Sequence, residues 1–278
     1  MDKMLIKIGR LLSMLLCACF VVGCGEYQQI LKIKDPDIKY QKALMYFEDK
    51  QYVKAQTLLD EVTSYYRGTD RSQDVLAYLS RSYMGQKNYS AAAEYYQAYI
   101  RNYPKGRYII EARFQIGHCY YLDSPDARLD QAETKKAIEF FTQFIEFYPE
   151  SPYAEQAYKE MGELYDKLAE KEYLSAKMYY NLGTYLGNNY LSAEIVAKNA
   201  LKDYPTNKYQ EELNWLILQS KYQQMINSLD DKKEDRARET KDEYYNFVTE
   251  YPNSKHVDSA KKILKEVQKI LNKKTTEI

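Results

Sequence analysis

Residues 76–104 read LAYLSRSYMGQKNYSAAAEYYQAYIRNYP, and this stretch holds the period on which the rest of the chain is built. Leu76, Leu79, Ser80 and Tyr83 fall three and four residues apart, which places them on one stripe of an amphipathic helix. Ala92, Tyr96 and Tyr99 make a second stripe, and Pro104 ends it, because a residue preceding proline is pushed out of the α region. The unit is a helix–turn–helix. Its end mark recurs: four of the seven prolines follow tyrosine, at Tyr103-Pro104, Tyr148-Pro149, Tyr204-Pro205 and Tyr251-Pro252, and Tyr66-Arg67 holds the same place without the proline. Twelve residues before each mark stands a small or short side chain (Ala55, Ala92, Ala137, Ala193, Thr240). Eight and five before it stand apolar pairs: Leu59 and Val62, Tyr96 and Tyr99, Phe141 and Phe144, Ala197 and Ala200, Tyr244 and Phe247.

The spacing resembles the tetratricopeptide repeat, in which a large residue, Leu, Gly and Tyr mark helix A, and Ala, Phe, Ala and then Pro mark helix B. Residues 76–104 match its 34-residue register without a gap, and Ala43, Tyr46, Ala55, Leu59 and Val62 keep it in the first unit. The third unit carries an insertion around Leu122 to Lys135 and the fifth a charged excursion from Asp230 to Arg238, both read as solvated loops. Between Pro152 and Leu186 there is sequence for two helices before the fourth helix B. One stripe there runs through Tyr158, Met161, Gly162 and Tyr165, and another through Tyr179, Leu182, Gly183 and Leu186. Val257, Ala260, Ile263, Leu264, Val267, Ile270 and Leu271 face inward on a terminal amphipathic helix whose lysines give the stack a polar end. The expected fold is all-α, an α-solenoid of about five helix pairs with an extra helix before the fourth helix B and a C-terminal capping helix.

Composition agrees. Gly (10) and Pro (7) are scarce in 278 residues, which disfavours turn-rich β folds. Tyr (31) far outnumbers Phe (8) and Trp (1), so recurring helix seams are filled by rings with a polar tip. Lys plus Arg (40) balance Asp plus Glu (40), leaving no net field to gather nucleic acid. His118 and His256 stand alone, and no HExxH, CxxC, GxxxxGK[ST] or GxGxxG occurs. No catalytic residue, metal ligand or cofactor is expected, and the chain reads as no enzyme.

The N-terminus is an address. Lys3, Lys7 and Arg10 precede an apolar run from Leu11 to Val22, too short to span a bilayer. It ends in Val21-Val22-Gly23-Cys24, which resembles the lipobox of bacterial lipoproteins, with Val21 where Leu is usual. That resemblance implies a signal peptide over 1–23 and acylation of Cys24 by diacylglycerol and palmitate, so that lipid alone anchors the chain. Cys119 is then the one cysteine left unmodified in the mature chain.

A lipid-anchored stack behind a short tether (24–35) resembles the BamD family, repeat lipoproteins of the outer-membrane β-barrel assembly machinery. The repeat ends YPESPY (148–153), YPTNKY (204–209) and YPNSKH (251–256) are similar to that family's YPxS-type ends. LAEKEYLSAKMY (168–179) is similar to its LAxxExxVAxYY, with Ser175 in place of Val and Met178 in place of Tyr. The resemblance implies a non-catalytic factor on the periplasmic face of the outer membrane. It implies N-terminal repeats (36–151) that read C-terminal signals of unfolded β-barrel proteins, and C-terminal repeats (152–278) that hold the POTRA region of a BamA-like barrel subunit, with other assembly lipoproteins as further partners. On tetratricopeptide repeats the groove positions of helix A correspond here to Tyr40, Leu44, Phe47, Ala77, Arg81, Met84, Phe114, His118 and Tyr121. Of these Tyr40, Phe47, Arg81, Phe114 and Tyr121 suit a peptide ending in an aromatic residue with a free carboxylate. Lys202, Asp203 and the segment Glu211 to Lys221 are where the resemblance places the scaffold contact, with Lys202 its leading residue. Two other envelope readings stand beside this one: a Tol-associated cell-division coordinator and a SusD-like glycan-binding lipoprotein.

Overall fold

The computed structural model describes residues 26–275, with side chains to residue 272; the signal segment and Cys24 lie outside the described residues. Every regular element described is a helix: α1 (residues 26–31), α2 (Pro36–Glu48), α3 (Tyr52–Thr63), α4 (Arg71–Gly85), α5 (Tyr89–Asn102), α6 (Ile109–Asp123), α7 (Ala132–Phe147), α8 (Ala154–Leu182), α9 (Asn189–Asp203), α10 (Gln210–Ile226), α11 (Asp230–Glu250) and α12 (Val257–Thr275). The chain divides into two compact units. One runs to Asp123 and includes Glu146–Tyr153; the other comprises Ser124–Ile145 and everything from Ala154 onward.

In the first unit each helix packs on the next in sequence from α2 to α6, and α2 also meets α4. Of the residues that the repeat period puts inside, Ala43, Tyr46, Ala55, Leu59, Val62 and Leu79 share one core with Tyr40, Leu58, Tyr66 and Val75, while Leu76 and Tyr83 are only half-buried. Helix starts and stops follow local chemistry. Asp35 caps α2 by accepting from the backbone N–H groups of Asp37 (2.8 Å) and Ile38 (3.1 Å), with Pro36 in the first turn. At the other end Lys50 takes φ +58° and Gln51 N–H reaches back to the Tyr46 carbonyl at 2.8 Å. Lys87 takes φ +59° after α4, where Asn88 N–H meets the Tyr83 carbonyl at 3.0 Å. These are left-handed helix stops, normally given to glycine, held here by lysines.

In the second unit α8 to α12 pack in succession, and α8 also meets α10. The sequence between Pro152 and Leu186 forms one continuous 29-residue helix, α8, since no proline interrupts it and Gly162 sits in open space where a helix tolerates it. Its buried line runs through Ala154, Ala157, Leu164, Leu168, Ala169 and Ala176, so two sequence-derived stripes are corrected: Tyr158, Leu182 and Leu186 are exposed. The cause is Gly183, which turns left-handed (φ +58°) and ends the helix before Leu186 can join a helical stripe. The charged excursion from Asp230 to Arg238 is also not a loop. It is the first half of the 21-residue α11. The terminal helix behaves as expected, with Ala260, Ile263 and Val267 buried against Trp215, Leu218 and Phe247.

The residues twelve, eight and five before each repeat mark are buried in all five units. Because a left-handed conformation strains any side chain with a Cβ, Lys87→Gly is expected to stabilise the protein by about 0.5–1 kcal/mol, read from urea unfolding. An unchanged or lowered midpoint would show that this turn relaxes without glycine.

Candidate peptide-binding face of the first unit

The helix A residues singled out from sequence occupy α2, α4 and α6, and the structure separates them into lining and core. Tyr40 is only 6% exposed; its ring meets Tyr66 edge-on at 5.8 Å and lies under the Arg71 guanidinium at 5.3 Å. Burial pushes its hydroxyl up to about 12. Phe114 is 1% exposed, its ring stacked on Tyr153 at 4.9 Å and on His118 at 5.6 Å. Both are therefore corrected from ligand contacts to the support beneath a surface, because their faces are already covered. Phe47 and Tyr121 are half-buried: Phe47 packs edge-on against Tyr52 (5.5 Å) and Tyr78 (5.0 Å), and Tyr121 stacks on His118 at 6.0 Å. His118 is thus a member of an aromatic column. Cys119, the neighbouring residue, is buried with Sγ 3.2 Å from Met84 Sδ, and burial raises its thiol to about 12.

Arg81 links α4 to α6. Its Nε donates to Glu111 Oε1 at 2.7 Å and its Nη2 to Oε2 at 2.5 Å, a two-pronged pair. The guanidinium also lies 5.3 Å from the Tyr78 ring centre and 4.6 Å from that of Tyr108. Burial disfavours its charge, yet the Glu111 carboxylate outweighs that and holds Arg81 more firmly protonated than usual. A ligand carboxylate arriving here must share Arg81 with Glu111. The face thus presents Phe47, Tyr78 and Arg81 side by side across α2 and α4, joined to Tyr108 and Glu111 at the start of α6.

One recurrent device was missed in the sequence. An acidic residue in the first turns of helix A pairs with a base at or just before the start of the next helix A: Asp37 with Arg71, and Asp74 with Arg107 (3.2 Å). In the second unit Glu212, in the first turn of α10, pairs with Lys255 (2.5 Å) and lies 3.3 Å from His256 Nε2, while Asp166, midway along α8, accepts from the Lys208 backbone N–H (2.8 Å). Repeat-end tyrosines join in. The Tyr66 hydroxyl donates to Asp37 (2.7 Å) and, together with Arg71, holds that carboxyl below its usual range; Tyr103 donates to Ser72 Oγ (2.6 Å), and Tyr251 accepts from Asn214 Nδ2 (3.2 Å). An acid on helix A followed by a base 33 to 44 residues later is the signal that could have revealed it.

In the second unit Lys202 and Asp203 end α9 exposed, whereas much of the segment Glu211 to Lys221, where the resemblance places the scaffold contact, is buried. Trp215 to Leu218 are buried, Trp215 stacks on His256 at 4.7 Å, and Lys221 is turned inward. Lys221 lies 3.3 Å from Glu194, which also accepts from Lys198 (2.7 Å) and Gln224 (2.7 Å), and 3.5 Å from Glu239. Among the described residues no group of three His, Cys, Asp or Glu could hold a metal ion, and no helix is long and apolar enough to cross a membrane.

The family model described as an outer membrane lipoprotein, YfiO, matches residues 34–187 and again 182–278. No curated protein matches the chain. Among solved structures, a single-substitution variant of a kinesin light chain from Podosopora anserina with nearly identical TPR-like repeats is similar at 12% identity and a TM-score of 0.38, over 88% of this chain and 99% of that one.

The cluster around Lys221 makes opposite predictions for its carboxylates. Burial raises Glu243 above 4.5, so its charged form costs stability at neutral pH; Glu243→Gln is expected to raise Tm near pH 7, with the gain fading as pH falls through the raised value and gone below 4.5. Glu194 is pulled below 4.5 because Lys198, Gln224 and Lys221 outweigh its burial, so Glu194→Gln is expected to lower Tm at neutral pH, and the loss is expected to shrink in acid. Parallel pH profiles for the two variants would overturn this assignment.

Proposed function

Because the chain belongs to the YfiO family of outer membrane lipoproteins, the family of BamD, we propose that it is the lipid-anchored repeat scaffold of a β-barrel assembly machinery. The observation that carries this reading is the family match from residue 34 to the last residue of the chain, over segments that fold as successive helix pairs in each unit. Acyl chains on Cys24 hold the protein to the inner surface of the outer membrane, since each buried CH₂ contributes about 0.8 kcal/mol and several long chains on one residue suffice. The repeats over 36–151 receive C-terminal segments of unfolded barrel proteins, and those over 152–278 engage the POTRA region of the barrel subunit. No step is catalytic: the protein binds and presents.

The face on α2, α4 and α6 supports peptide capture in a specific way. Phe47 and Tyr78 offer ring edges to a terminal aromatic side chain, Arg81 offers charge to its carboxylate, and Tyr121 extends the aromatic lining from α6. Tyr40 and Phe114 hold α2 and α6 in place beneath it. Glu111 keeps Arg81 oriented and tempers its charge, which suits a site that must release its cargo. In the second unit Lys202, exposed in the last turn of α9, is the residue assigned to the scaffold contact.

Affinity capture from detergent-solubilised envelopes is expected to recover a POTRA-containing barrel protein, and Lys202→Glu is expected to reduce that recovery. Consistent recovery of Tol components or glycans instead would overturn the reading. For the peptide face, Arg81→Gln is expected to weaken binding of a barrel C-terminal peptide by roughly tenfold, the worth of about 1.4 kcal/mol, and Glu111→Gln to tighten it several-fold. The amidated peptide is expected to lose this dependence on both variants; equal binding of acid and amide by all three proteins would remove Arg81 from the site.

A further inference from the structure

The turn between α8 and α9 is unlike the others. From Met178 to Ala193 the chain carries no Asp, Glu, Lys, Arg or His, in a sequence that is 29% charged overall. At its tip Tyr185 is 68% exposed and Leu186 is 90% exposed, with Met178, Leu182 and Leu191 also exposed on the flanking helices. In the first unit, the residues with positive φ at the α2–α3 and α4–α5 turns are lysines, which water solvates readily.

The tip is also built rather than loose. Tyr185 N–H donates to the Leu182 carbonyl (3.0 Å), Asn189 N–H to the Gly183 carbonyl (3.0 Å) and Asn189 Nδ2 to the Tyr185 carbonyl (2.7 Å), while Asn188 caps α9 through Leu191 N–H (3.3 Å). A Cβ at Gly183, besides straining its φ of +58°, would stand 2.9 Å from the Tyr190 hydroxyl and force that ring to shift. Leu186 itself sits at φ +53°, a conformation a leucine adopts only under strain. The backbone thus holds a tyrosine and a leucine outward, at a conformational cost, with no internal packing in return.

From this geometry we infer that the 183–188 turn is an interfacial foot, whose Tyr185 and Leu186 enter the headgroup–acyl boundary of the lipid bilayer. A projecting knob needs no complementary pocket in a bilayer. Its tyrosine matches the aromatic residues that settle at that depth, and the absence of charge matches a zone where charge is costly. A two-residue contact is weak by itself. The chain belongs to a family of outer membrane lipoproteins, so the bilayer is already within tethered reach, and a weak second contact then acts at high effective concentration. The inference rests on that membership and not on the proposed role in barrel assembly.

The test uses the lipidated full chain in vesicles of phosphatidylethanolamine with a minority of phosphatidylglycerol, doped with spin-labelled lipid. An environment-sensitive fluorophore is attached to Thr184→Cys, or to Lys87→Cys as a turn control; the buried Cys119 is not expected to react. At 184 a blue shift, a roughly twofold rise in intensity and strong quenching by the spin label are expected, as for a probe at the acyl boundary. At 87 none of these is expected. Adding Tyr185→Ser and Leu186→Gly is expected to abolish the signals at 184 while leaving Tm unchanged or raised, because glycine accepts the left-handed turn. Signals at 184 that survive this double substitution, that are absent in vesicles, or that develop only when envelope proteins are added would overturn the inference, the last in favour of a protein pocket.

Discussion

Close approach between helices governs this fold. At each repeat the position twelve residues before the end mark carries alanine or threonine with no surface left to water: Ala55, Ala92, Ala137, Ala193 and Thr240. A larger side chain there would drive helix B away from its neighbours and open voids that the aromatic and aliphatic residues four and seven places later could not fill. Where those later places hold Phe141 and Phe144, or Tyr96 and Tyr99, large rings fill the seam; where they hold Ala197 and Ala200, bulk comes from Leu213, Leu216 and Ile217 on α10. Volume is conserved across the seam while its donors change.

The tyrosine excess follows from the same packing. At three repeat ends a ring packs at the edge of the core near the first turns of helix A, where Asp37, Ser72 and Asn214 lie at bonding distance of the hydroxyls of Tyr66, Tyr103 and Tyr251. Phenylalanine would fill the space and leave those groups without that partner. Tyrosine serves the core with its ring and helix A with its hydroxyl, and the adjoining acid–base pairs fasten one helix A to a base at or just before the start of the next. The register of each unit is thus set by polar contacts laid over an apolar seam.

This economy shapes the surfaces left for function. In the first unit Arg81 is a strut to Glu111 that also lies beside the aromatic face of Tyr78 and Tyr108. In the second unit the charges of α10 are spent internally on Glu194, Lys255 and His256, while the end of α9 and the uncharged turn ahead of it stay exposed.

Period, helix class and the buried places of helix B were all legible in the sequence, because a 34-residue spacing of small, apolar and proline residues admits few other folds. The fourth helix A was not. Tyr179, Leu182 and Leu186 keep helical spacing on paper, but Gly183 takes a left-handed turn and the true inward line is Leu168, Ala169 and Ala176, a choice made only when α9 and α10 pack against it. The five residues expected at the peptide face lie on α2, α4 and α6, but the sequence did not give their depth. Helical periodicity says which residues share a side; whether that side is covered depends on neighbours far away in sequence, and Tyr153 covers Phe114 as Tyr66 covers Tyr40. The sequence by itself determined the repeat and its spacing, because local geometry follows residue order. The tertiary structure alone decided which charges are spent on each other and which rings remain open, because burial and ion pairing belong to the assembled helices.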